Sequence, residues 1–405
     1  MKLAKLSLAA IVVAGLTSSS FAADNLADAF KNGKVSGELK AYYFSNKDDV
    51  GDKDSIFTTG VLLNYKTDTL YGFGLNLTAQ GSSSPFADHG AKDDYKYSMY
   101  GPGAQISEAY LSYTLGKTTA LVGRMFLDTP LVASSGSRVI KDAFEGAAII
   151  NTDLPNTTLI AGYVQKGQDR TNYNDGIGKF TKYFATGSLS IGQLPVEAED
   201  GAYTLAIINK SITGLTLTAA YANAFDIAQL AYIEALYEGK ASELGYTLGA
   251  QYYYNKIDSS LSVGIDDTIS SYAFKAGLSY KGINGTVAYS QTSDDNVLLG
   301  ELVSGLGNGA DLLYTDAVIS SPGYVRDTKA YLVDINYDVT AAANIGARYV
   351  QADYDVTNEK ASFTSIYGSY KFDGALKGFK LGAEFEDKGK DASGNDLWVK
   401  ANYKF

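Results

Sequence analysis

The chain has 405 residues, a formal net charge of −11, no cysteine and one histidine. The acidic balance speaks against nucleic acid as a partner. Without cysteine there is no disulfide scaffold or thiolate chemistry, and His89 alone makes neither a histidine metal site nor a Ser-His-Asp triad, so no enzyme, metal or cofactor is expected.

The chain opens MKLAKLSLAAIVVAGLTSSSFAAD. Lys2 and Lys5, an apolar run from Leu6 to Leu16 and small residues around Ala22 read as a secretory leader over 1–22. The run is too short to cross a bilayer as a helix. Losing two lysines with the leader moves the formal charge from −11 to −13. Residues 23–34 follow as a short periplasmic segment, where Leu26, Ala29 and Phe30 have helical spacing. The remainder, 35–405, reads as one domain.

From residue 35 the hydrophobic period is two. VSGELKAYYF (35–44), FTTGVLLNYK (57–66), TLYGFGLNLTAQG (69–81) and SEAYLSYTL (107–115) set apolar residues against Gly, Ser, Thr, Asn, Lys and Glu. ELGYTLGAQYYY (243–254), YAFKAGLSY (272–280), AYLVDINYD (330–338), NIGARYV (344–350), FKLGAEFE (379–386) and DLWVKANYKF (396–405) do the same. Between 183 and 240 the alternation blurs, and IAQLAYIEALYEGK (227–240) also reads as a helix. Connections alternate short with long. The long ones cover 45–54, 81–104, 126–140, 166–200, 255–270 and 294–328, and all six prolines lie in connections.

A soluble sandwich needs bulky inward residues from both its sheets. Here the minor face is small or polar, which suits tilted strands crossing a bilayer, where the sheet has to close on itself. The expected fold is all-β: a transmembrane antiparallel β-barrel of eighteen strands, sixteen being the alternative, with short periplasmic turns and long extracellular loops. Tyr71, Phe73, Leu75 and Leu77 would meet lipid, and Gly72, Gly74, Asn76 and Thr78 a wet lumen. Outward aromatics near strand ends (Tyr65, Tyr280, Tyr337, Tyr403) suit interfacial girdles. Phe405, closing an alternating strand, resembles the signal read by the outer-membrane barrel assembly machinery.

Residues 106–164, with EAYLSY, a GKT turn, GR, DTPL, SR and FEG, resemble the outer-membrane porin D (OprD) family in its epsilonproteobacterial form. The N-terminal ADNLADAFKNGKVSGELKAYYF resembles the same porins. The resemblance implies an eighteen-stranded barrel, monomeric or loosely trimeric. In it the third loop folds inward, the seventh adds to the eyelet, and a ladder of basic residues guides carboxylate-bearing solutes. It places Arg124 and Arg138 around the third loop, Asp128 at its start, and Lys141 and Glu145 on the returning strand.

Opposed charges across a constriction select ions. Arg124, Arg138 and Lys141 against Asp128, Glu108 and Glu145 are the expected pair of rims, with ordinary lumen salt bridges as the alternative. Strand parity adds Lys275, Arg348, Lys380 and Lys400, a thin basic ladder. The acidic loops 46–54 and 88–96 lack calcium-ligand spacing. The function expected is an outer-membrane porin of a Gram-negative bacterium, passing small hydrophilic solutes and ions by diffusion. A preference for carboxylates is the finer reading, and a structural or adhesin-type barrel with an occluded lumen is the alternative. Expected partners are outer-membrane lipid, lipopolysaccharide, the solutes and, through Phe405, the assembly machinery, for a monomer or homotrimer.

Overall fold

The structure, a computed structural model, describes residues 23–47, 53–96, 98–172, 176–183, 198–259, 265–297 and 300–405. The leader read over 1–22 lies outside them. Eighteen strands form the wall: β1 (Lys34–Lys47), β2 (Lys53–Lys66), β3 (Phe73–Ser83), β4 (Gly103–Leu115), β5 (Thr118–Met125), β6 (Ala143–Asn151), β7 (Thr157–Gln168), β8 (Ala202–Asn209) and β9 (Leu215–Ala224). They continue as β10 (Ala228–Ala241), β11 (Leu244–Ile257), β12 (Thr268–Tyr280), β13 (Ile283–Thr292), β14 (Thr328–Asp338), β15 (Ala343–Tyr354), β16 (Glu359–Lys371), β17 (Phe379–Lys390) and β18 (Asn395–Lys404). Each pairs antiparallel with its sequence neighbours, and β18 closes on β1 from Glu38↔Lys404 to Lys47↔Asn395. A two-residue ladder, Phe180–Thr181, extends the β7 edge and is not a stave of the barrel.

The period of two decides which face each side chain takes. On β14, Tyr331, Val333, Ile335 and Tyr337 are between 43 and 57 % exposed, while Ala330, Leu332, Asp334 and Asn336 are buried. A water-soluble sheet would invert this; apolar outside and polar inside is the pattern of a wall solvated by lipid. Outward tyrosines form a row toward the long-loop ends of β8, β9 and β11–β15, with Tyr289 and Tyr331 centroids 5.2 Å apart. A second row lies toward the short turns, where Phe73 and Tyr113 are 4.6 Å apart. The upper row is interrupted from β3 to β6.

Helix α1 (Leu26–Lys31) sits at the short-turn end, capped by Asn25, which accepts from Asp28 N at 3.0 Å. It is tied to the barrel by Asp68 N donating to Ala29 O and Tyr65 Oη donating to Phe30 O. Residues 88–96, read from the sequence as a loop, contain helix α2 (His89–Tyr95), capped by Asp88. His89 is exposed beside Asp93, and no group of three or more metal-ligating side chains forms among the described residues.

The helix alternative for 227–240 is overturned: the segment is β10. Ile233 and Tyr237 face outward, whereas Leu230, Tyr232 and Leu236 are buried inward. Both faces are apolar because Leu302, Val303, Leu313 and Tyr324 of the seventh loop (293–327) pack inside the barrel against them. The inner wall is therefore not wet all round. One half buries an apolar plug and the other is polar.

Candidate permeation channel

The third loop (126–142) is launched inward by Glu108. Its buried carboxylate accepts from Phe126 N (3.1 Å), Thr78 Oγ1 (2.5 Å) and Asn76 Nδ2 (3.2 Å). Three donors satisfy a charge that burial alone would not tolerate. Deeper in the barrel the loop meets the seventh loop: Ala133 N donates to Leu306 O at 3.0 Å and Leu306 N to Leu131 O at 2.8 Å. Gly307 allows the approach, since a side chain there would strike Ala133 O and its φ is +82°. Asp142 then locks the two loops, accepting from Ser135 N (2.6 Å) and Asn308 N (2.9 Å). Burial pushes the Asp142 carboxyl up from its usual range, opposed by Arg170 and these two N–H groups. On its return the loop is held to β1, where Lys40 Nζ donates to Val139 O at 3.0 Å.

The seventh loop is fastened around the wall. Asn255 on β11 pairs with Val303 as a strand would, accepting from its N–H (2.6 Å) and donating to its carbonyl (3.1 Å). Tyr314 donates to Glu234 at 2.5 Å and carries the Lys275 ammonium 3.8 Å from its ring centroid. Arg348 donates to Asp316 O (3.0 Å) and to Asp334 Oδ2 (2.8 Å). Glu386 on β17, fully buried, accepts from three successive backbone N–H groups, Val318, Ile319 and Ser320, at 2.9–3.0 Å, and from Ser365 Oγ at 2.8 Å. A run of backbone donors around one carboxylate is a strong, charge-assisted clamp.

Between this plug and the wall of β15–β18 and β1 lies a cavity of about 1070 Å³. It runs from Asp128, Arg138 and Arg170 of the loops to Lys371, Phe379 and Lys404 at the short-turn ends of the strands. Seven cations (Arg138, Arg170, Arg348, Lys371, Lys380, Lys400, Lys404) border it against five carboxylates (Glu38, Asp128, Asp311, Asp316, Glu384). The chain as a whole carries the opposite sign. Trp398 stands in the wall with Arg138 4.0 Å and Lys400 4.2 Å from its ring centroid. Lys400 also pairs with Glu384 at 3.0 Å. Arg138 Nη1 (3.3 Å) and Arg170 Nη2 (3.2 Å) converge on the Ser137 hydroxyl, and the Nε of each has no partner. Burial, reinforced by Arg170, lowers the Arg138 pKa; a guanidinium nevertheless keeps its proton, so the pair stays doubly charged.

Of the residues singled out from the sequence, Asp128, Arg138, Arg348, Lys380 and Lys400 border this cavity. The others do not. Glu108 is the loop anchor described above. Lys141 holds Gln80 through its backbone (2.9 and 2.8 Å), with its ammonium 4.5 Å from the Phe126 ring centroid. Lys275 points inward but lies under Tyr314. Arg124 and Glu145 form an ion pair at 3.0 Å on the face of Val122 and Ile149, which point away from the lumen. The expected rims of Arg124 and Lys141 against Glu108 and Glu145 are thus not assembled around the cavity, because the inward positions there are Met125 and Phe144. Parity on β16–β18 would have found Lys371, Glu384, Trp398 and Lys404; nothing in the sequence around Arg170 marks it as a lumen residue.

An eighteen-stranded closed wall, apolar outside, with a charged cavity left open by two infolded loops, defines a transmembrane β-barrel channel. Residues 28–305 match the family described as outer membrane porin, OprD family, and the chain belongs to it. This places it in the outer membrane of a Gram-negative bacterium. Solved structures agree in fold. OccAB3 of Acinetobacter baumannii superposes with a TM-score of 0.80 at 18 % identity, and OccK9 (OpdG) of Pseudomonas aeruginosa with 0.81 at 13 %. OpdK of Pseudomonas aeruginosa, solved with vanillate, gives 0.78 at 12 %. Each comparison covers 93 % of this chain and 99 % of the other. No curated protein sequence matches the chain.

Proposed function

We propose that the channel passes small hydrophilic solutes by passive diffusion, without enzymatic activity, and favours those bearing a carboxylate. The observation that carries this is the Arg138–Arg170 pair: two guanidiniums that border the cavity with one hydroxyl between them, the Nε of each buried and unpartnered. Burying unpaired charge is costly. A passing carboxylate relieves that cost and matches the planar fork of the guanidinium. Below it, Lys400, Lys380, Lys371 and Lys404 offer a succession of weaker stops toward the periplasm, and weak multiple sites let a bound solute leave. That OpdK was solved with vanillate, itself a carboxylate, fits this reading.

Reversal potential in planar bilayers under a salt gradient tests it. The wild type should pass discrete current steps and lean toward anions. Arg138→Ala and Arg170→Ala should each lower the anion-to-cation permeability ratio by roughly fivefold, the scale of ~1 kcal/mol for one charge at close range in water. Unshifted potentials in both variants would sink the carboxylate preference. A folded barrel without current steps would instead favour the occluded, adhesin-type reading.

A further inference from the structure

We propose that Arg124 and Lys166, on the outer wall, form a docking site for a phosphorylated headgroup of an outer-leaflet lipid. Register pairs Arg124 with Glu145 and Glu145 with Lys166, so the three side chains share one face. It is the face of Val122 and Ile149, 57 and 46 % exposed, while Met125 and Phe144 beside them turn inward and are buried. The row stands at the long-loop ends of β5, β6 and β7, the level of extracellular headgroups. A cation at the membrane midplane would be expensive; near the interface that cost vanishes.

The charges do not cancel. Glu145 Oε2 takes Arg124 Nε at 3.0 Å and Oε1 takes Lys166 Nζ at 3.7 Å, two cations on opposite oxygens of one carboxylate. All three side chains remain about a third exposed. The Phe180 ring, 4.3 Å from the Arg124 guanidinium carbon, covers that group on one side. Among the described residues neither cation has another ion-pair partner. The upper tyrosine row, continuous over β11–β15, reaches Tyr163 on β7, opposite Ala147, and is missing on β5 and β6. Beside the cations the wall carries Ala109, opposite Arg124, and Ala147, opposite Val122. These leave low relief for an acyl chain below a phosphate held by the cations. A two-fold contact between copies of the chain would bring the same cations face to face, which disfavours a second copy as the occupant.

The test is native mass spectrometry of the refolded barrel in zwitterionic micelles, with three probes: bis-phosphorylated lipid A, the same lipid stripped of phosphate, and inorganic phosphate. The wild type should retain lipid A about thirtyfold more strongly than the stripped lipid, the scale of two cations at an anionic surface. The Arg124→Gln/Lys166→Gln double variant should lose that difference, and Arg124→Lys should keep most of it. The double variant should also conduct with unchanged reversal potential, which certifies its folding and separates this result from failure of the channel reading. Equal retention by the conducting double variant overturns the proposal. Inorganic phosphate bound as tightly as lipid A would make the site one for soluble anions and overturn the lipid assignment, and a shifted reversal potential would place Arg124 in the lumen.

Discussion

Single side chains set the width of this channel from behind. Glu386 touches no solute path directly, yet its carboxylate gathers the three N–H groups of Val318–Ser320. Glu386→Ala would leave those donors without a partner at ~1–3 kcal/mol each. We expect the segment to detach from β17, seen as larger and noisier single-channel current from a barrel that still folds. Gly60 is the counterpart on β2: a side chain there would collide with Val139 of the third loop. Gly60→Leu should therefore push that loop from the wall and narrow the passage, lowering conductance while leaving the sign of selectivity unchanged.

At the scale of elements, the seventh loop behaves as an internal domain of the barrel. Its Glu301 is partly enclosed, and burial pushes its carboxyl up from 4.5 to about 7, with a hydrogen bond from the Tyr324 N–H opposing. A folded-state pKa above the unfolded one means the proton's stabilising contribution is complete below about pH 4.5 and is lost as pH rises through 7. The loop should loosen across that window, and open-channel noise should rise with pH in the wild type but stay flat in Glu301→Gln. This element also explains where sequence reading stopped. Strand parity is legible wherever one face meets lipid and the other water, as on β14. It blurs on β10 because Leu230 and Tyr232 bury against a loop some seventy residues later. Parity identified Arg348, Lys380 and Lys400 as lumen residues, but a two-residue period says nothing about which half of the lumen a folded-in loop will fill. It therefore could not separate Lys275, covered by Tyr314, from Lys400, which borders the open side.

The whole molecule is closed by one seam. Gly37 and Phe405 exchange backbone hydrogen bonds at 2.9 and 3.1 Å, and the Phe405 ring sits where a Gly37 side chain would be. Gly37→Leu should displace the ring and lower the denaturant midpoint of the barrel, read from the heat-modified and native bands on a gel, with little effect on conductance in molecules that remain closed. The seam is also part of the channel. Glu38 and Tyr42 come from the first strand, Trp398, Lys400, Asn402 and Lys404 from the last, and all six border the same cavity. One wall of the cavity is thus shared between the two ends of the polypeptide, and that wall exists only where the barrel is closed. A barrel without its β18–β1 pairing would leave the passage open on that side, so loss of either terminal strand costs the closure and one wall of the passage together. Quality control of the finished seam is then, by construction, quality control of permeability.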